Sequence, residues 1–298
     1  MMSSESGYIP LSELSYVSVK DGHYLMALRA YFDGSGVESD PNCSHVTLAA
    51  VCASADEWSL FERRWEEVLL KHEAPKSEAG NPYWHTVEAV GRNKGYKDWS
   101  MEKVKECMIE LFKVIHGMSL DTITMIASSI RLRDYRLLKK EIPRLMPHQV
   151  ISVIYCMVFV IQEFRKREQD VISLELFFDN NEDYSKYVRK AKRRGVSWTK
   201  KITALDDTYC AKRSYPMQAA DLLGWLLSRH HSNRELNDWN QFASALMRLA
   251  PLSGLLFDMK ILRTVFDENG NFREDFVIPP TPLSADREYF IKWHDLFF

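Results

Sequence analysis

The sequence predicts an α/β domain: a mixed five-stranded sheet flanked by helices, with a helical insertion and a C-terminal extension. Three observations carry this. Two neighbouring strands come first, and alternation of strand and helix follows. The apolar period switches to helical spacing just after the second strand. Two apolar strands each end in an aspartate, and open α/β sheets carry their sites at the carboxyl ends of strands.

The first strand is expected at 24–33 and the second at 45–53, HVTLAAVCA. Pro41 and Asn42 mark a turn between them, so the pair reads as antiparallel. Residues 56–72 form a helix, because Trp58, Phe61, Trp65, Val68 and Leu69 recur at helical spacing. Ser54 and Glu57 supply a capping box for it, and the tryptophans read as core. Residues 73–100 are rich in Gly, Pro and Asn and hold the segment YWHTVEA at 83–89. A long loop of this kind in a compact domain is usually functional or disordered. A helix from Ser100 to about His116 follows, then a strand at 121–131. Residues 147–166 are the most apolar helix. Residues 171–179 are apolar at nearly every position, as in strands buried on both faces. A helix at 183–194, a strand at 197–205 and a helix at 216–230 complete the alternation, the last with Pro216 in its first turn. The tail, 232–298, carries one helix at 235–249, a turn at 268–271 and Pro279-Pro280. Residues 1–22 are Ser-rich and read as a loose lead-in. The domain then runs over 23–231, with its insertion at 54–118, and the extension packs on it.

At 298 residues the chain has length for a large core. Its hydrophobic share of 46% and charged share of 27% are those of a soluble globular protein. A net charge of −2 leaves any polyanion binding to a local patch. Five scattered cysteines lack metal-ligand or redox spacing and read as reduced thiols in a cytoplasmic protein. The start, MMSSESGYIP, lacks a signal-peptide pattern. The longest apolar run, 150–161, is too short to span a bilayer, so no membrane partner is expected.

Three carboxylates stand out. Asp33 closes an apolar strand and precedes Gly-Ser-Gly, a context that also suits a plain turn. Asp179 closes LELFFD and is followed by Asn180 and Asn181, turn residues too. Asp221 lies on the apolar helix PMQAADLLGW, where a bare carboxylate is costly and needs a metal or a partner such as Arg213 or Lys212. Three clustered carboxylates repel one another, and divalent cations make the cluster tolerable. Hard oxygen ligands select Mg²⁺ or Mn²⁺. Two such ions about 4 Å apart activate water and stabilise the leaving oxygen of a phosphodiester.

Taken together, YFDGSG (31–36), Trp58-x-x-Phe61-x-x-x-Trp65, WHTVE (84–88), LFFD (176–179) and MQAADLLGW (217–225) resemble the family catalogued as domain of unknown function 3800. That family is regarded as ribonuclease H-like, and the resemblance spans about residues 24–231. It implies a ribonuclease H-like fold and Asp33, Asp179 and Asp221 as ligands of one or two Mg²⁺ or Mn²⁺ ions. His85 and Glu88 match the family's His-containing segment. Glu88 is thereby a candidate fourth ligand, and His85 a candidate for proton transfer or phosphate contact, with a packed His as the alternative. Ser35 and Gln218 are candidates to orient the carboxylates. Gly34 departs from the family, where many members have Glu.

Residues 186–201, KYVRKAKRRGVSWTKK, are strongly basic and lack acidic residues. Arg189, Lys190, Lys192, Arg193, Arg194, Lys200 and Lys201 are candidates to contact nucleic-acid phosphates, with Tyr187 and Trp198 available for stacking. Arg131, Arg133 and Arg136 extend that set. The other reading is a solvated helix face. His230 and His231 are expected to place positive charge at a helix C-terminus. The expected function is Mg²⁺- or Mn²⁺-dependent cleavage of a DNA or RNA phosphodiester. A scaffold of the same fold without chemistry, and a hydrolase of a small phosphorylated substrate, stay open as alternatives.

Overall fold

Alternation along the strands sorts the molecule into two layers of core. The computed structural model describes residues 17–20, 23–36, 38–39, 43–119, 123–166, 169–179, 183–195, 199–209, 211–231, 238–248, 252–270 and 273. In chain order the strands are β1 (Val17–Lys20), β2 (His23–Ser35), β3 (His45–Ala53), β4 (Thr124–Arg131), β5 (Gln169–Asp179), β6 (Ile202–Tyr209) and β7 (Leu252–Phe257). The helices are α1 (Ala55–Lys71), α2 (Thr86–Val90), α3 (Met101–Ser119), α4 (Leu132–Glu141), α5 (His148–Lys166), α6 (Tyr184–Arg193), α7 (Tyr215–His231), α8 (Asp238–Met247) and α9 (Met259–Val265).

The sheet order is β6-β5-β2-β3-β4-β7, with β1 paired to β2. β5 runs parallel to both β2 and β6, β3 is antiparallel to β2 and β4, and β7 is parallel to β4. The mixed α/β sheet flanked by helices is therefore as expected, but five strands become seven among the described residues. β1 falls in the stretch read as a loose lead-in and pairs with the start of β2. β7 falls in the tail, where LSGLLF is too short for its period to distinguish strand from buried helix. The strand expected at 197–205 is β6, shifted toward its C-terminal side. Helix α4, which follows β4 directly, was not anticipated.

One face of the sheet presents Leu28, Ala30, Phe32, Leu48, Leu176 and Phe178 to α4, α5, α6 and α9. The other presents Tyr31, Ala49, Val51 and Phe177 to α1, α3, α7 and α8. Helix α5 is buried at every position from Ile151 to Val160, which matches its uninterrupted apolar run. Helix α1 carries the expected capping box: the Glu57 N–H donates to Ser54 Oγ at 3.4 Å and the Ser54 N–H to Glu57 Oε2 at 2.8 Å. Its Trp58, Phe61, Trp65 and Leu69 are core. The turn expected at 268–271 forms, with the Gly270 N–H donating to Asp267 O. The four described cysteines are free thiols. No helix among the described residues is long and apolar enough to cross a membrane.

Candidate functional site

The register of β2 and β5 sets the site. Tyr31 lies opposite Phe177 and Phe32 opposite Phe178 on these parallel neighbours. Both ring pairs stack, with centroids 4.6 Å and 4.8 Å apart. Asp33 and Asp179 each follow one residue later. They share the sheet face of Tyr31 and Phe177, about one inter-strand spacing, ~4.8 Å, apart. Asp179 is buried and Asp33 half-buried.

Helix α7 lies across that face. A Cβ built on Gly224 would stand 3.5 Å from Asp33 O, 3.5 Å from Ala49 Cβ and 3.7 Å from Ser35 Cβ. The helix thus packs on β2 and β3 at Gly224 with room for ordinary van der Waals contact, and Asp221 lies one turn earlier on that helix. Ser35 thus stands two residues beyond Asp33, under Gly224.

Asp221 Oδ2 accepts the Thr86 N–H at 2.7 Å, at the start of α2. Burial holds its carboxyl above the usual carboxylate range. The nearby His85 imidazole and the Thr86 hydrogen bonds offset part of this, and Asp179 adds to it. Asp179 and Asp221 are therefore close enough for their charges to interact. A raised carboxyl pKa means that ionised Asp221 costs stability above its ordinary pKa, and the cost vanishes as pH falls below about 3.9. Asp221→Asn keeps an acceptor for Thr86 and is expected to raise the melting temperature of the metal-free protein at pH 7, with the gain shrinking toward pH 4. A lower melting temperature at pH 7 would show that the ionised carboxylate is net stabilising there.

His85 is the N-cap of α2, and its Nδ1 accepts the Glu88 N–H at 3.4 Å, which places the ring proton on Nε2. The ring is half-buried beside fully buried Trp84. Glu88 differs from the fourth-ligand expectation. Its Oε1 takes Lys94 Nζ at 2.6 Å and Lys212 Nζ at 2.8 Å, and its Oε2 accepts the Tyr83 hydroxyl at 3.0 Å. Burial alone would raise its pKa, but Lys212, Lys94 and Tyr83 outweigh burial and hold it below the usual range. Both oxygens are thus committed to protein donors. Lys212, one of the partners considered for Asp221, serves Glu88.

Gln218 also differs from its expected role. Its Oε1 accepts Trp65 Nε1–H at 2.8 Å and the Trp84 N–H at 3.0 Å, which ties α7 to α1 and to the segment before α2. It positions Trp84, and through that segment Thr86, instead of touching a carboxylate directly. Among the described residues, no three His, Cys, Asp or Glu side chains are grouped so as to hold a metal ion as they stand.

The basic stretch lies elsewhere. Helix α6 packs Tyr184 and Val188 on the sheet face opposite the carboxylates. As the crossover between parallel β5 and β6 it runs back toward the amino ends of the strands. Lys192 Nζ accordingly donates to Ile202 O, at the first residue of β6. Ile202 is level with Leu174, five residues before Asp179 and about 16 Å from it along the strand. Lys190, Arg193, Arg194, Lys200 and Lys201 share that end, and Arg189 pairs with Asp207 at 2.6 Å. Arg189 is thus held near the level of Asp179, from the helix on the opposite sheet face, while Lys192 and the residues after it end away from the carboxylates. Trp198 falls outside the described residues. Arg131 pairs with Asp134, Arg136 donates to Glu38 O, and Arg133 is exposed. His230 and His231 do end α7, but burial pushes the His231 imidazole down to about 4, so it stands neutral there.

Fold and site together define an α/β protein in which Asp33 and Asp179 end two neighbouring parallel strands and Asp221 lies on the helix that packs on the first of them. Comparison with protein families, curated proteins and solved structures shows no match for this chain.

Proposed function

We propose that the chain is a ribonuclease H-like, Mg²⁺- or Mn²⁺-dependent hydrolase of nucleic-acid phosphodiesters. The observation that carries this reading is the Phe32–Phe178 register, which sets Asp33 beside Asp179 under the helix of Asp221. The strand order supports it as well. Three antiparallel strands, β2 to β4, are followed by two parallel ones, β5 and β6, and the first of the five is central.

The donor chemistry fits a hard divalent ion. Asp33, Asp179 and Asp221 offer carboxylate oxygens, and Asp221 is held partly protonation-prone by burial and by Asp179. A bound cation would supply an activated water and charge stabilisation of the leaving oxygen. The three aspartates hold the ions. His85, whose Nε2 carries the ring proton on the segment that Thr86 ties to Asp221, would donate to the phosphate or the leaving group. Fully buried Tyr96 holds the segment of His85: its hydroxyl accepts the His85 N–H at 3.3 Å and donates to Tyr83 O at 2.7 Å.

Thermal unfolding with Mn²⁺ tests this. At a hundredfold excess over its dissociation constant, an ion bound only by the native state adds about 2.7 kcal/mol. That is a rise of roughly 5 °C for a domain of this size. The wild type is expected to show it and Asp33→Asn to lose it. A second reading, a binding module of the same fold without chemistry, draws on the absence of a ready three-ligand group among the described residues. No shift in the wild type at saturating Mn²⁺ would favour it.

A further inference from the structure

Two lysines share one buried carboxylate two residues beyond Thr86, whose N–H Asp221 accepts. Glu88 is 4% exposed, whereas the side chains of Lys94 and Lys212 are 64% and 34% exposed. Both ammonium groups meet the same oxygen, Oε1. One carboxylate neutralises one ammonium, so this group carries a net positive charge toward solvent. Lys212 also stands 4.9 Å over the Tyr83 ring, a second hold on its position. The backbone is left-handed at Arg92 (φ 45°) and Lys94 (φ 49°), an unfavourable conformation for residues with a Cβ that costs on the order of 1 kcal/mol each. A single ion pair to Glu88 would be satisfied by Lys212 alone, without that strain.

The same short segment reaches the aspartates. Thr86 donates its N–H to Asp221, and His85 receives the N–H of Glu88. Lys212 leads into α7, the helix of Asp221. An anionic substrate approaching three carboxylates is repelled unless cations stand beside them, and the basic end of α6 lies too far away to serve.

We propose that Lys94 and Lys212, gathered on Glu88, are the phosphate-contacting groups of this site, and that Glu88 positions them. The inference rests on the phosphodiester reading above. The ligand is a backbone phosphate, met at its non-bridging oxygens by ammonium groups acting as point charges.

The test is the affinity of the full chain, with Mn²⁺ present, for a labelled ten-nucleotide phosphorothioate single strand, measured over a salt series. Lys94→Gln leaves Glu88 paired with Lys212, so it keeps the fold, and it is expected to weaken binding about threefold or more. Lys94→Gln with Lys212→Gln is expected to weaken it at least tenfold and to flatten the salt dependence by about 1.4 in log–log slope, two contacts at roughly 0.7 each. Lys190→Gln/Arg193→Gln/Arg194→Gln on α6 is expected to stay within twofold of wild type. Equal affinity of wild type and Lys94→Gln would overturn the inference and leave the nuclease reading standing. If the wild type binds no oligonucleotide, the nucleic-acid reading falls. Inorganic phosphate with Mn²⁺ then decides: weaker binding by Lys94→Gln than by wild type supports the phosphate contact of the two lysines, and equal binding by the two, or none by wild type, overturns it.

Discussion

Asp179→Asn is expected to cut Mn²⁺-dependent cleavage of a labelled oligonucleotide by on the order of 10³-fold, the several kcal/mol that metal-assisted charge stabilisation supplies. The argument is one of register. Asp179 follows Phe178, which lies opposite Phe32, so its carboxylate belongs to the same level of the sheet as that of Asp33. The substitution keeps shape and side-chain volume, removes the charge and turns one acceptor oxygen into an NH2 donor. It also removes a contribution that raises the pKa of Asp221, so the metal-free fold is expected to melt no lower than wild type. Cleavage within tenfold of wild type, in a preparation whose melting curve is unchanged, would place the chemistry elsewhere. The α6 triple variant is the contrasting control, because that helix packs on the opposite sheet face and its C-terminal end, where Lys192 meets Ile202 O, lies about 16 Å down the strand direction from Asp179.

The largest effect on stability is expected from Gln218→Leu. Gln218 is fully buried, and its single carbonyl oxygen satisfies two buried donors, Trp65 Nε1–H and the Trp84 N–H. Leucine fills similar space but accepts neither. Each orphaned buried donor costs about 1–3 kcal/mol, so the loss is roughly 2–6 kcal/mol. Urea unfolding reads it as a lower midpoint at unchanged slope. Trp65→Phe removes one of the two donors in advance. The double variant is therefore expected to lose less than the two single losses added together, a coupling that double-mutant analysis measures directly. A single-variant loss under about 1 kcal/mol would mean that the two donors find other acceptors. The same substitution frees the segment 84–86 that holds Asp221, so the site is expected to loosen together with the core.

Much of the layout was legible in the residues. The capping box at Ser54 and Glu57, the core stripe of α1, and the strands ending in Asp33 and Asp179 depend on neighbours within a few positions, and local spacing reports them well. Glu88 was legible as a special residue but not in its role. The family resemblance suggests a ligand, yet Lys212, which claims it, comes from the segment just before α7, far along the chain, and Lys94 reaches it through a left-handed backbone. Gln218 was placed beside the aspartates by proximity in sequence to Asp221. Its true partners are two tryptophans from other segments. β7 and β1 escaped because short strands get their stability from pairing partners and not from a pattern of their own.

By itself the sequence determined where apolar periods begin, where strands stop, and which stops carry a carboxylate, because each is written in side chains adjacent along the chain. Only the tertiary structure decided which charges meet. Register on parallel neighbours set Asp33 level with Asp179, helix α7 packed across β2 and β3 at Gly224, and two lysines gathered on Glu88. The densest run of positive charge went to the other face and the other end of the sheet. A crossover helix must run back along the parallel strands it joins, so a basic C-terminus on α6 ends far from the carboxyl ends of β2 and β5.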